Sequence, residues 1–496
     1  MSVNAPLPPT VLRSVLVALM LAIFLGALDQ TIVAVSMPAI STQFNNVSLL
    51  AWVISGYMVA MTVAVPIYGK LGDLYGRRRM ILFGIGLFTL ASVFCALSQS
   101  MEQLVVARVL QGIGAGGMIS VSQAIIGDII APRDRGRYQG YFSSMYALAS
   151  VTGPVFGGYL TEYLSWHWVF WLNLPLGLLA WWIARRTLRV LVIPQRTAVI
   201  DYLGSVLLVA GLGTLLMAIT LIGQGYAWNS QEMLGLLSTA VVGLVLFVAH
   251  QRRTPEPLLP LKLFSNRTAV LCWCTIFMTS FQAISLSMLM PLRFQSITGA
   301  GADSAALYLM PLAIGLPIGA YTGGRLTARS GRFKPQILTG ALCMPLAIIG
   351  MALTPPDAWL TSATFMLLTG IASGLQFPTS LVAAQSSVEP RDIGVATSTT
   401  NLFRALGGAI GVASMSALLL AMLGHTGPIQ PGMSEHGLTS NILLDSLNTV
   451  DGQALQALRS ALSLTFRDVL LGSALISLLG LGAALRLPNQ QLRGRT

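Results

Sequence analysis

Charged side chains are scarce in this chain. Of its 496 residues only 9% are Asp, Glu, Lys or Arg, whereas 54% are hydrophobic, and the mean hydropathy is +0.73. A soluble domain carries about 25% charged residues. The shortage therefore excludes a water-soluble globular protein and predicts an all-α membrane protein that crosses the bilayer many times.

Cysteine and the motifs of catalytic chemistry are also rare. The four cysteines all fall in apolar runs, which indicates neither a disulfide framework nor a metal site. The sequence has no Walker loop, no metal-ligand cluster and no nucleophile elbow. A G-x-G-x-x-G run from Gly112 to Gly117 lies in an apolar segment without a preceding strand, so a dinucleotide site is rejected. We therefore expect no enzyme, no cofactor and no ATP-driven motor.

Acidic residues number only 17 against 29 basic ones, which gives a net charge of +12. In a soluble protein this excess would suggest nucleic acid, but here Lys and Arg concentrate in the loops of one predicted membrane face. With the N-terminus in the cytoplasm, the outer face receives only Arg293, Arg459 and Arg467. This asymmetry predicts a multi-pass protein of the cell (inner) membrane, embedded in the lipid bilayer, with both termini cytoplasmic and no nucleic-acid partner.

Fourteen apolar runs approach the length of about 20 residues that a membrane-spanning helix needs. They cover about 13–37, 48–69, 80–99, 102–126, 138–161, 167–186, 202–223, 232–250, 268–296, 304–325, 336–354, 358–382, 393–423 and 462–486. An even number of crossings agrees with two termini on one side of the membrane.

Two segments of the first half recur in the second half without a gap. Gly69–Arg79 aligns with Gly324–Lys334, and Pro132–Gly136 aligns with Pro390–Gly394. Internal duplication in a membrane chain is typical of transporters, whose sites lie between the repeats. Because the first loop follows helix 2 and its copy follows helix 10, we predict 14 transmembrane helices in two six-helix repeat bundles plus two inserted helices.

The domain boundaries follow from this alignment. The N-terminal six-helix bundle is predicted over residues 1–190, the two inserted helices with their cytoplasmic linkers over 191–262, and the C-terminal six-helix bundle over 263–496. An extracellular loop is predicted at about 424–461, and it contains no motif that we can interpret.

Asp29 alone among the acidic residues falls deep inside a predicted span, and Arg108 and Arg404 are the basic residues within spans. Such a charge costs about 2.5–3.5 kcal/mol on insertion scales, so it usually faces a cavity and has a function. At 1.5 Å per residue, Asp29 is expected roughly 12 Å and Arg108 roughly 9 Å below the outer face. We predict a shared proton-coupling site, with a structural ion pair or snorkelling as the alternative.

Glycines mark two further segments. Gly69–Arg79 is a polar stretch between two apolar runs, and we expect it at a membrane face in a tight turn that glycine allows. In helix 5, Ala149, Gly153 and Gly157 form a stripe for close helix contact, and Pro154 is expected to bend the helix. This stripe is compatible with packing alone and with a role in gating.

Together these motifs resemble the major facilitator superfamily, and within it the fourteen-helix drug:proton antiporter group (the EmrB/QacA-like subfamily). Gly69–Arg79 is similar to the loop 2–3 motif, Leu104–Gly112 to the helix 4 motif and Gly153–Gly158 to the helix 5 antiporter motif. Leu28–Val33 resembles the helix 1 motif of the fourteen-helix group. Ala149 stands where the helix 5 motif usually has its first glycine.

The resemblance implies a rocker-switch exporter in which Asp29 and Arg108 couple transport to protons. Gating residues would be Gly69, Asp73, Gly76, Arg77, Gly153, Pro154 and Gly157. Substrate-binding candidates, chosen as polar or aromatic residues within spans, are Tyr57, Gln111, Tyr146, Gln282, Phe377, Asn401 and Arg404.

The leading interpretation is a proton-coupled antiporter that exports amphiphilic or cationic drugs across the cytoplasmic membrane by alternating access. Asp29 suits a lipophilic cation, whereas Arg404 favours anions. The alternative is an exporter of a specific endogenous lipid, siderophore or metabolite, and a membrane sensor without turnover is a third reading. The expected partners are a small-molecule substrate and protons, and the need for accessory efflux subunits is open.

Overall fold

The computed structural model describes residues 8–44, 49–191, 200–223, 226, 228–299, 308–355, 358–426 and 453–492. Within these ranges the chain is almost entirely α-helical, and the only β-type pairing is an isolated bridge between Arg332 and Gln491. The all-α prediction is confirmed.

Fourteen helices run through the described ranges, one for each predicted apolar run. They are α1 (Pro9–Phe44), α2 (Leu50–Tyr75), α3 (Arg77–Ala96), α4 (Met101–Ile129), α5 (Pro132–Tyr163), α6 (His167–Trp171 and Asn173–Thr187, interrupted at Leu172), α7 (Tyr202–Gly223), α8 (Gln231–Gln251), α9 (Arg267–Thr298), α10 (Met310–Ser330), α11 (Lys334–Leu353), α12 (Trp359–Ser386), α13 (Ile393–Thr426) and α14 (Gln453–Leu485).

Polar residues fix where several of these helices begin. Ser100 caps α4 and Ser230 caps α8, each accepting a hydrogen bond from a backbone N–H in the first turn. Asn266 accepts from two such N–H groups at the start of α9. These caps satisfy donors that the first turn of a helix leaves unpaired.

The helices form two groups of six with the same pattern of neighbours. In the N-terminal bundle (α1–α6), α1 packs on α5, α4 on α2 and α3, and α3 on α6. In the C-terminal bundle (α9–α14), α9 packs on α13, α12 on α10 and α11, and α11 on α14. Glycine contacts also correspond: Gly112 lies against the backbone of Tyr57, and Gly370 lies against the backbone of Leu312.

The remaining helices, α7 and α8, are those predicted as the inserted pair, and they pack on each other. Of the two, α7 lies against both α2 and α13, so it covers a seam between the bundles. The bundles meet directly where α5 packs on α10 and α2 packs on α13.

Twelve of these helices are long and apolar enough to cross a membrane, judged over the described residues. The other two are α5 and α10, which are rich in small and polar residues and pack on each other between the bundles. The multi-pass character is therefore clear, and fourteen crossings stay a prediction.

Two sequence-based boundaries need correction. The predicted turn over Gly69–Arg79 is mostly helix, since α2 continues to Tyr75 and α3 begins at Arg77. Gly76 alone separates them, with a φ of 94°, and its aligned counterpart Gly331 also has a positive φ, 68°. The predicted loop at 424–461 overlaps the last turn of α13 and the first turns of α14, and residues 427–452 lie outside the described ranges.

Candidate functional site

A buried carboxylate lies near the middle of α1. Asp29 has no exposed surface, and Arg108 on α4 donates a hydrogen bond from Nη1 to its Oδ2 at 2.5 Å. Gln111 and Asn173 donate their amide N–H groups to Asp29 Oδ1 at 2.8 and 2.9 Å. The prediction that Asp29 and Arg108 lie at one level is confirmed by this contact.

Arg108 is held from three further directions. Its Nε donates to the carbonyl of Val53 at 3.1 Å, and Nη1 also donates to Gln111 Oε1 at 2.6 Å. Its guanidinium lies 4.1 Å from the ring centroid of Tyr57, which is itself 1% exposed. A buried guanidinium with several partners is fixed in direction, so the Asp29–Arg108 pair links α1, α2 and α4.

Sequence reasoning missed part of this cluster. It placed Tyr57 and Gln111 among substrate contacts, whereas both side chains surround Arg108 and Asp29. It did not select Asn173 or Ser92, although Ser92 accepts from Gln111 at 2.7 Å. The available signal was a polar residue inside an apolar run, which does not by itself say which way a side chain faces.

A second charged cluster lies at the end of the molecule that contains Gly76, called here the Gly76 end. Arg77 on α3 pairs with Asp73 on α2 at 2.5 Å and with Asp128 on α4 at 2.9 Å. Asp73 also accepts a hydrogen bond at 3.2 Å from the backbone N–H of Val395, in the first turn of α13. A carboxylate is favoured at a helix N-terminus because the N–H groups there are unpaired and the helix dipole is positive.

This cluster joins the two bundles, since Val395 belongs to the C-terminal one. Gly69 lies against Ser398 of the same helix, and a Cβ at Gly394 would collide with Asp73 and Arg77. Glycine at these positions therefore allows α2 and α13 to approach closely.

Helices α5 and α10 close the same end from the other side. Arg133 donates to the last carbonyls of α10, those of Ala328 at 2.5 Å and Arg329 at 2.9 Å. A Cβ at Gly136 would lie 2.9 Å from the Cα of Gly324, so the two helix backbones nearly touch there. The bundles are therefore in tight contact at the Gly76 end.

A polar contact lies further toward the middle. Asn401 on α13 donates to Gln123 Oε1 on α4 at 2.7 Å, and Gln385 on α12 donates to the carbonyl of Gln123 at 3.4 Å. Asn401 was predicted to contact substrate, and in this conformation it joins the bundles instead.

One turn beyond Asn401, an arginine lies between aromatic rings of both bundles. The guanidinium carbon of Arg404 is 5.5 Å from the ring centroid of Tyr146 on α5 and 5.1 Å from that of Phe377 on α12. All three side chains are half-buried. The structure thus brings three of the predicted substrate contacts together, from helices of both bundles.

Gln282 is placed elsewhere. It is 1% exposed and donates to the carbonyl of Ser473 on α14 at 2.9 Å, inside the C-terminal bundle. It lines a small cavity with Thr279 and Gln376, away from Arg404.

The helix 5 motif packs against α1, two to three residues after Asp29. Gly153 lies against Thr31, and Gly157 lies against the backbone of Ile32. Thr31 donates to the carbonyl of Ala149 at 2.9 Å, and the helix continues through Pro154. The motif therefore connects α5, which contacts the opposite bundle, to the helix that carries the buried carboxylate.

A polar cavity of about 860 Å³ lies at the Gly76 end, between the end of α2, the segment that follows the inserted pair and the segment before α13. Charges of both signs line it, among them Lys70, Asp73, Glu256 and Arg391. Lys70 and Glu256 are 3.8 Å apart, which links α2 to the segment after α8. This cavity lies beside the interface between the bundles, and its lining does not include Arg404, Tyr146 or Phe377.

Comparison with known proteins gives concordant results. The Major Facilitator Superfamily profile matches residues 19–412. Two similar proteins come from Bacillus subtilis (strain 168). "Multidrug transporter protein MdtP" is 35% identical over 410 residues, 82% of this chain and 75% of that protein. "Multidrug resistance protein 3" is 34% identical over 403 residues, which are 81% of this chain and 78% of that protein. The solved proton:xylose symporter XylE has a TM-score of 0.62 at 14% identity, over 97% of this chain and 98% of that one, a likeness of fold.

Proposed function

This chain belongs to the Major Facilitator Superfamily, and we propose that it is a proton-coupled antiporter that exports amphiphilic drugs by alternating access. As a superfamily member it is a multi-pass membrane transporter of small molecules and not an enzyme. Relatives named for multidrug transport and multidrug resistance support drugs as the cargo.

The buried Asp29–Arg108 pair is the observation that carries proton coupling. Asp29 lies near the middle of its helix and is hydrogen-bonded to Arg108, Gln111 and Asn173 among the described residues, so protonation would change a defined set of contacts. A protonated carboxyl no longer compensates the charge of Arg108, and an uncompensated buried charge favours rearrangement of the helices around it. Asp29 and Arg108 are therefore proposed as the proton-coupling residues.

The contacts at the Gly76 end support a role as a gate. We assign gating to Gly69, Asp73, Gly76 and Arg77, together with Gly153, Pro154 and Gly157 of the helix 5 motif. Separation of the bundles would break the hydrogen bond from Val395 to Asp73 and the close approach of Gly136 to Gly324. Rocking of one bundle against the other around a central site is the usual form of alternating access.

The membrane arrangement completes the proposal. The bundles comprise residues 1–190 and 263–496, with the inserted pair in 191–262, and all fourteen helices cross the cell membrane. Basic residues such as Arg78, Arg133 and Arg329 gather at the Gly76 end, which supports placing that end and both termini in the cytoplasm. The conformation described here would then be closed toward the cytoplasm.

Transport by purified protein in proteoliposomes with an imposed pH gradient tests the function. A panel of ethidium, a neutral amphiphile and an anionic amphiphile is offered to wild type and Asp29→Asn. Export of any member that needs the pH gradient and disappears in Asp29→Asn supports the proposal. Transport that is independent of the pH gradient, or that persists unchanged in the variant, contradicts proton coupling through Asp29. If no member of the panel is moved, drug export fails and a specific endogenous lipid, siderophore or metabolite becomes the better cargo.

A further inference from the structure

Arg404 is a charged side chain that has no charged partner among the described residues. Among the described residues no carboxylate lies within 4 Å of its guanidinium nitrogens, and it makes no hydrogen bond to a described residue. Its contacts are the rings of Tyr146 and Phe377. Since the side chain is half-buried, its N–H donors are available to a molecule that enters between the bundles.

Asp29, the one carboxylate predicted deep inside a span, is not available to balance the charge of Arg404. Asp29 has no exposed surface and is bonded to Arg108, Gln111 and Asn173. When ionised, Asp29 and Arg108 cancel each other, so the pair presents no net charge to a molecule bound at Arg404. The preference for cationic cargo was based on contact with Asp29. In this structure the carboxylate of Asp29 is buried and already bonded to three side chains, so cargo does not reach it.

The aromatic neighbours define the rest of the site. Tyr146 comes from the N-terminal bundle and Phe377 from the C-terminal bundle, so the cluster spans the interface where a transporter site is expected. Tyr146 packs against the apolar cluster that contains Tyr57, and Met61 and Met145 pack there too. Aromatic and methionine side chains accept flat or irregular apolar shapes.

We propose that the cluster of Arg404, Tyr146 and Phe377 binds the anionic group of an amphiphile, a carboxylate or a sulfonate attached to an aromatic body. The inference rests on the proposed function for placing cargo between the bundles, and it narrows the cargo from amphiphiles in general to anionic ones. A guanidinium offers paired N–H donors that match a carboxylate or sulfonate, and these charge-assisted bonds are strong where water is scarce.

Three fluorescent molecules that share one naphthalene ring system test the charge preference. They are dansylate, an anion; dansylamide, which is neutral; and dansylcadaverine, a cation. Binding is measured with the purified full chain in nanodiscs, without any gradient. Wild type is expected to bind dansylate most tightly and dansylcadaverine least tightly. Equal affinities, or tighter binding of the cation, overturn the inference.

Substitution assigns the preference to Arg404. Arg404→Gln is expected to weaken dansylate binding on the order of 10- to 100-fold, since hydrogen bonds to charged groups are lost, and to change dansylamide binding by less than about threefold. The matched control is Arg186→Gln, because Arg186 also lies over an aromatic ring, that of Trp182 at 4.1 Å, but is exposed elsewhere on the molecule. Equal weakening of dansylate and dansylamide by Arg404→Gln would assign Arg404 a structural role only.

Two additions keep the outcome decisive. Arg404→Glu reverses the charge and is expected to bind dansylcadaverine more tightly than wild type does. If Arg404→Gln does not fold, this reversal and the wild-type ranking decide.

Failure of the proposed antiport is recognised separately from failure of the anion site. A dansylate preference without export driven by a pH gradient removes antiport and keeps the binding site. Gradient-driven export of dansylcadaverine with no binding of dansylate keeps antiport and removes the anion site.

Discussion

Arg108 donates a hydrogen bond to Asp29 at 2.5 Å across the first and fourth helices, and both side chains are almost completely buried. Each is the charge partner of the other. Replacing Asp29 alone leaves Arg108 as a buried, unpaired charge with unused hydrogen-bond donors, and replacing Arg108 alone leaves Asp29 as a buried, unpaired charge. The proposed coupling of transport to protonation and the stability of the fold therefore involve the same contact, and experiments must separate them.

A double substitution makes that separation. Asp29→Asn alone leaves Arg108 uncompensated and is expected to cost about 3–5 kcal/mol of stability. Asp29→Asn combined with Arg108→Gln replaces the pair with neutral amides and is expected to recover most of that loss, because no buried charge remains. Thermal unfolding followed by tryptophan fluorescence measures stability.

Export driven by a pH gradient is expected to be absent from the double variant. Recovery of stability without recovery of export would show that Asp29 serves coupling and not only folding. A double variant that transports like wild type would remove Asp29 from the mechanism.

Asp73 gives a test of the gate. Asp73→Asn removes the charge that pairs with Arg77 and accepts from the N–H of Val395, so the closed Gly76 end is expected to lose about tenfold in relative population. Spin labels at exposed positions Arg137 on α5 and Arg325 on α10 report the separation of the bundles. A longer distance is expected in the variant.

The control for this measurement is Asp134→Asn. Asp134 is exposed near the start of α5, makes no ion pair in the described chain, and carries the same charge at the same end. The control is expected to match wild type. If both variants shift the distance alike, the effect comes from net charge and the assigned gate contact is wrong.

Two adjacent glycines of the helix 5 motif provide a matched steric test. A Cβ at Gly157 would lie 2.8 Å from the carbonyl oxygen of Ile32, whereas a Cβ at Gly158 meets no atom within 4 Å. Gly157→Ala is expected to force α5 away from α1, at a cost of about 1–3 kcal/mol, and to reduce export. Gly158→Ala is expected to be silent in both unfolding and transport assays. Equal behaviour of the two variants would contradict the packing described for α1 and α5.

The stability of the inserted pair is expected to depend on pH through Asp201, which precedes α7. Burial disfavours its ionised form, but hydrogen bonds from His250, the Gly204 N–H and Gln251 outweigh this and lower the pKa of Asp201. A carboxylate with a lowered pKa stabilises the fold above the pKa it has in the unfolded chain, and that stabilisation is lost as the pH falls through its folded pKa. Asp201→Asn should therefore unfold at a lower temperature than wild type at pH 7.

The same difference should begin to shrink below about pH 4, the ordinary pKa of Asp, because the unfolded wild-type chain then binds a proton, and it should vanish once the pH falls below the lower pKa of folded Asp201. Unfolding curves of both proteins across this range provide the measurement. A difference that stays constant with pH would mean that the charge of Asp201 does not contribute.

The sequence alone determined the class of protein and the approximate positions of its helices along the chain. Each of the fourteen predicted apolar runs contains a helix in the described chain, as expected of apolar segments that must satisfy their own backbone hydrogen bonds. A lone deep Asp29 and Arg108 at a similar predicted depth indicated a shared site, since a buried charge needs a partner. The sequence predicted one turn for Gly69, Gly72 and Gly76 together, and of these only Gly76 has the positive φ that glycine permits.

Only the tertiary structure decided which side chains share a space. Tyr57 and Gln111 surround Arg108, Gln282 lies inside the C-terminal bundle, and Arg404 meets Tyr146 across the interface. In an apolar helix that is packed on several sides, periodicity does not distinguish the face toward a neighbour from the face toward a cavity. That choice depends on the rotation of each helix against the others, which is set by contacts between residues far apart in the chain.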